Sequence, residues 1–100
     1  MNWYYRLEGH TPVAVDLREE WDLWLTSSNT TVMLNEIKDC IISTVFVGMD
    51  LNLAYGEPMF FETLVMGGAL NGKRNRYSTW DEAIQGHLKI CTQVFKLTMS

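Results

Sequence analysis

The chain predicts an α+β domain, an antiparallel β-sheet of five to six strands with two helices packed against it, in the order β-β-α-β-β-β-β-α. Three observations predict it. Between residues 31 and 78, short runs rich in β-branched and aromatic side chains alternate with turn residues. Two other stretches, opening at Asp16 and Thr79, place apolar residues at helical spacing behind a capping pattern. No linker, internal repeat or low-complexity tract divides the 100 residues, which suit a single domain over 1–100.

Residues 3–7 are aromatic and β-prone, and Val13-Ala14-Val15 is a second apolar run. The turn-like Glu8-Gly9-His10-Thr11-Pro12 between them predicts a β-hairpin. Asp16 then opens a helix, because its carboxylate can accept from first-turn amides and Glu19 stands three residues on. Leu17, Trp21, Trp24 and Leu25 recur on one helical face, with Arg18, Glu19, Glu20 and Asp22 away from it. Ser27-Ser28-Asn29 ends the helix.

Thr31–Ile37 reads as a strand, with Val32, Leu34 and Glu36 on one side and Thr31, Met33, Asn35 and Ile37 on the other. Lys38-Asp39 is a tight turn. Residues 40–49 are almost continuously apolar, the pattern of a central strand covered on both faces. Residues 50–58 form a loop broken by Gly56 and Pro58. Residues 59–66 alternate as a strand, Phe60, Glu62, Leu64 and Met66 against Met59, Phe61, Thr63 and Val65. Asn71-Gly72 predicts a type I′ hairpin turn, and residues 74–78 the returning strand.

Thr79, with Glu82 three residues on, caps the last helix. Trp80, Ile84, His87, Cys91 and Val94 trace one stripe, which Ala83, Leu88, Ile90 and Phe95 broaden. Gly86 inside this helix costs about 1 kcal/mol relative to Ala, which implies close packing against the sheet.

Composition narrows the function classes. Hydrophobic residues at 47% and charged residues at 20% describe a folded chain, not a disordered tail. The net charge is -4, and the one basic cluster, Lys73, Arg74 and Arg76, sits at a hairpin end, so direct nucleic-acid binding is not expected. No apolar run approaches the roughly 20 residues that span a bilayer. Cys40 and Cys91 are isolated and no secretory leader precedes them, the usage of a reducing compartment, so a soluble cytoplasmic protein is expected. Twelve aromatic residues, four of them Trp, exceed what a small core hides, and some should serve contact.

Asp50, Glu62 and His87 are the candidate polar cluster, two carboxylates and an imidazole suited to acid–base or ligand chemistry. Their separation over different elements lacks metal-ligand spacing, so neither metal nor cofactor is expected. The structural alternative outweighs it: Asp50 holds a turn, Glu62 pairs across strands with Arg74 or Arg76, and His87 is a satisfied core histidine. Cys91 lies one helical turn from His87, yet both fall on the apolar stripe, the setting of an inert thiol. Gly67-Gly68 and Asn71-Gly72 precede no Lys-Ser or Lys-Thr at a helix start and read as turns, not as a phosphate loop. The candidate interface residues are Trp3, Tyr5 and Tyr55 with the carboxylates Glu19 and Glu20.

The run Ser43-Thr44-Val45-Phe46, then Gly48, Asp50 and Asn52, then Phe61-Glu62-Thr63, Gly67-Gly68 and Tyr77-Ser78-Thr79-Trp80 with Glu82, Ala83, Gly86 and His87, resembles a family of small uncharacterised proteins encoded by phages and prophages. Tyr4-Tyr5 and residues 12–16 fit loosely, and Leu53-Ala54-Tyr55 replaces a more glycine-rich segment. The resemblance implies a non-catalytic accessory protein of a bacterial host cell that binds a protein partner, such as a host defence component, with anti-CRISPR action as one form. The alternatives are a small enzyme or ligand-binding domain centred on Asp50, Glu62 and His87, and a homo-oligomeric structural protein, a homodimer in the simplest case.

Overall fold

The structure is a computed structural model describing residues 4–52 and 56–99. β1 (Tyr4–Glu8) and β2 (Thr11–Val15) pair antiparallel, from Tyr4 against Val15 to Glu8 against Thr11. Gly9, at φ +60°, takes the first central position of the two-residue turn, where a side chain would be strained. After α1 (Arg18–Ser27) come β3 (Thr31–Ile37), β4 (Cys40–Phe46), β5 (Phe61–Met66) and β6 (Arg74–Tyr77), antiparallel and side by side in chain order. α2 (Trp80–Met99) packs across all four. The α+β class and the element order are those the sequence predicts.

The six strands divide into sheets of two and four. Past β4 the chain turns at Gly48, φ +81°, where a Cβ would sit 2.9 Å from the Trp21 indole nitrogen. The Tyr5 N–H donates to the Gly48 carbonyl at this bend, so the hairpin meets the end of the larger sheet instead of extending its ladder. The bend also ends β4 at Phe46, three residues short of the predicted limit. β5 begins at Phe61, two residues later than predicted, because Phe60 bonds irregularly, giving its N–H to Tyr77 and its carbonyl to Val47.

Two predicted caps part company. Thr79 forms the capping box, its hydroxyl accepting from the Glu82 amide at 3.1 Å and donating to the Glu82 carboxylate at 3.2 Å. At α1 the N-cap position belongs to Leu17, not Asp16, and carries no side-chain bond. The Trp21 amide bonds the Leu17 carbonyl, which places Asp16 one residue too early to cap. Leu17, predicted on the buried face, is 56% exposed.

Nor is Asn71-Gly72 a two-residue turn. Residues 67–73 connect β5 to β6, Gly72 alone of the pair has positive φ, and the Asn71 carboxamide instead accepts from the Gly67 amide at 2.7 Å. A local side-chain bond has displaced the I′ geometry.

Beneath α2 lie Ile42, Thr44 and Phe46 of β4 and Phe61, Thr63 and Val65 of β5, all buried. From above come Ala83, His87, Ile90 and Val94. This stripe is rotated from the predicted one, and Leu88 and Phe95 face outward. Two apolar clusters result. Cys40, Ile42, Val65, Ile90 and Val94 fill one end. Phe46, Phe60, Phe61 and Ala83 fill the other, joined by Tyr5, Trp24, Tyr77 and Trp80. Full burial of each Phe ring contributes on the order of 2–3 kcal/mol. A Cβ on Gly86 would meet the Tyr77 ring, so the close helix–sheet approach predicted at Gly86 is real.

The molecule is 20 Å through its thinnest dimension, room for one sheet and one helix layer. β4 is central but, among the described residues, a helix covers one of its faces only. Its other face, continuous with Leu34, Glu36, Glu62, Leu64, Met66, Arg74 and Arg76, meets no helix among the described residues.

Candidate functional site

Between the two apolar clusters runs a belt of buried polar groups: Thr44, Thr63 and His87. Thr44 and Thr63 are direct cross-strand partners, and their hydroxyls touch. Thr44 Oγ1 is 2.7 Å from His87 Nδ1, and His87 Nε2 is 2.8 Å from Asn35 Oδ1 on β3. Because Asn35 Oδ1 can only accept, Nε2 carries the proton and Nδ1 a lone pair. The chain therefore runs one way: Thr63 donates to Thr44, Thr44 to His87, and His87 to Asn35. Burial lowers the His87 pKa, which holds the ring neutral.

With both ring nitrogens engaged, His87 has no free lone pair for a substrate proton. The belt instead fixes alignment. A slip of β4 on β5, or of α2 along its axis, would leave buried hydroxyls and imidazole unpaired, at about 1–3 kcal/mol per group.

The other two members of the predicted polar cluster lie elsewhere. Asp50 Oδ1 accepts from the amides of Asn52 at 2.8 Å and Met59 at 2.9 Å, closing the base of the loop. Glu62 neighbours Thr63 and so points to the opposite face of the sheet from His87. There it holds Arg74 at 2.7 Å and Arg76 at 3.0 Å, with 14% of its side chain exposed. The three residues are not brought together, and strand alternation is the reason. Among the described residues no group of three or more His, Cys, Asp or Glu side chains is placed to hold a metal ion.

Cys91 is half-buried, and burial raises its thiol pKa, so it stays protonated and weakly nucleophilic. Of the candidate interface residues, Trp3 and Tyr55 lie outside the described residues. Tyr5 is half-buried, its ring 4.4 Å from that of Phe60, and it belongs to the aromatic cluster. Glu19 and Glu20 are exposed on the first turn of α1. Trp21 and Trp24 also face inward, against Tyr4 and Phe46, so among the described residues much of the ring excess forms a second aromatic layer, with Phe95 left outside.

What sequence reasoning missed is the open face of the four-stranded sheet. Three rows cross it. Glu36, Ile41 and Met66 form the first; Leu34, Ser43, Leu64 and Arg74 the second; Thr31, Val45, Glu62 and Arg76 the third. Leu34 is 61% exposed, Ile41 38% and Met66 41%. The signal was present, since residues 40–46 are apolar on both faces while only one amphipathic helix is long enough to cover the sheet. No helix among the described residues is long and apolar enough to cross a membrane. No protein-family model, curated protein or solved structure matches the chain.

Proposed function

We propose that this chain is a non-catalytic protein-recognition module whose contact surface is the open face of the four-stranded sheet. The observation that carries this reading is the exposure of Leu34, Ile41 and Met66 in one patch beside Arg74 and Arg76. Contiguous apolar surface rimmed by charge marks contact sites, and arginine and methionine are enriched there. The polar side chains beneath α2, Thr44, Thr63 and His87, are bonded to one another and to Asn35, which favours recognition through this surface over chemistry at the belt. The resemblance to phage-encoded proteins makes bacterial defence complexes, CRISPR effectors among them, the partner class to test first.

Affinity capture from bacterial lysate with the unmodified chain and with Ile41→Lys tests the reading. Proteins retained by the unmodified chain should be lost with Ile41→Lys and kept with a Glu19→Ala/Glu20→Ala variant. An identical set with Ile41→Lys, in a variant that keeps its unfolding midpoint, would refute it.

A further inference from the structure

We propose that the open sheet face binds the same face of a second copy of this chain, as a two-fold sheet-on-sheet dimer with the helices outermost. The inference rests on the recognition role assigned to that face and names its partner. The charge layout carries it. Glu62 between Arg74 and Arg76 leaves one corner of the face with a single excess positive charge. Glu36 stands at the diagonally opposite corner, three strands away and at the other end of the ladder. The Lys38-Asp39 turn beside it is neutral as a pair. Leu34, Ile41, Val45, Leu64 and Met66 lie between the two corners. An acidic corner, an apolar centre and a basic corner along one diagonal make a surface complementary to itself. A two-fold axis in the plane of the face, perpendicular to that diagonal, sets each Glu36 over the other copy's Arg76.

The geometry of this arrangement follows from the register. From β3 to β6 is three strand spacings, about 14 Å, and from the Glu36 row to the Arg76 row is four residues, about 13 Å. The diagonal therefore runs near 45° to the strands. The two-fold axis across it turns one sheet by roughly 90° on the other, one of the two angles at which sheets pack. Edge-to-edge pairing is disfavoured. β3 carries an irregularity between Thr31 and Met33, and β6 has only four residues, both of which blunt an edge. Four strands by about six residues cover on the order of 400 Å² per copy, the weak end of specific interfaces. The dimer is accordingly reversible, and its population depends on concentration.

Sedimentation equilibrium over a concentration series tests this, together with amide chemical shifts followed on dilution. The unmodified chain should self-associate, with the shifts concentrated at Leu34, Ile41, Leu64 and Met66. Ile41→Lys should be monomeric throughout. Glu36→Arg, which touches no buried group, should weaken association at least tenfold. A chain that stays monomeric to millimolar concentration overturns the proposal, as does a dimer that survives Ile41→Lys or whose shifts map to the outer edge of β3. A monomer whose capture of a different protein still depends on Ile41 also overturns it, while leaving the recognition role of the face intact.

Discussion

Acidification should destabilise this fold through one residue, His87. Its ring is fully buried, with Nδ1 accepting from Thr44 and Nε2 donating to Asn35. Protonation would place a hydrogen on Nδ1, facing the Thr44 hydroxyl. Thr44 would have to turn its own proton toward Thr63, and Thr63 would need a new acceptor in a sealed interior. The folded state therefore resists the proton, and burial lowers the His87 pKa from its ordinary 6.5. In the unfolded chain the ring titrates normally. Stability is thus complete above pH 6.5, declines as pH falls below it, and levels off once pH passes the lowered native value. At pH 5.5 the loss is at most about 1.4 kcal/mol, and the local slope cannot exceed about 1.4 kcal/mol per pH unit for one proton. Urea unfolding followed by tryptophan fluorescence at pH 7.5, 6.5 and 5.5 reads this directly, before most carboxylates titrate. The slope should vanish in His87→Gln and persist in His10→Gln, which removes the other histidine. A midpoint that does not move between pH 7.5 and 5.5, or a slope that survives His87→Gln, would refute the directional network.

Three further substitutions test the packing. Gly86→Ala should destabilise by about 1–3 kcal/mol in urea unfolding, despite the higher helix propensity of Ala, because the new Cβ would fall 2.2 Å from the Tyr77 ring. Lys38→Gly should raise the unfolding free energy by roughly 0.5–1 kcal/mol, read from the urea midpoint, since Lys38 holds φ +52° in the β3–β4 turn. Thr79→Ala should lose about 1 kcal/mol as the capping box at α2 opens, with the fraying visible as faster amide exchange at Asp81 and Glu82.

Much of the fold was legible because strand periodicity and local capping chemistry are written residue by residue. Thr31–Ile37 was read to its final bounds, and the alternation gave both faces over Phe61–Met66, while Phe60, placed on the side of Glu62 and Leu64, is buried with Phe46 and Phe61 instead. Thr79 and Glu82 announced α2 because a capping box needs only two side chains and their spacing. Two local readings slipped where a competing local bond won: Asp16 lost the cap of α1 to Leu17, and the Asn71 side chain turned to Gly67 instead of into a two-residue turn. Where partners distant in sequence decide, no local pattern could serve. The split into two sheets depends on Gly48 meeting Trp21 and Tyr5, contacts that no local pattern encodes. The candidate site divided along the same line. Cross-strand pairing of Glu62 with arginine could be read from opposed strands. That His87 finds Thr44 and Asn35 could not, because it requires the rotation of α2 over the sheet.

The small N-terminal hairpin and its short helix have an unequal share in the architecture. α1 buries none of its residues fully, and it contacts β1 and β2 but not the four-stranded sheet at any comparable extent. Residues 4–28 are held to the rest mainly by Tyr5 and Trp24 against Phe60 and Phe46, so they should open more readily than β3–β6 and α2. Hydrogen–deuterium exchange should divide the molecule there. Amides of β1 and β2 should exchange through a low-energy partial opening, and those of β4 and β5 only through global unfolding. A protease that cuts between α1 and β3 would then release a leading fragment and leave the helix-backed sheet behind.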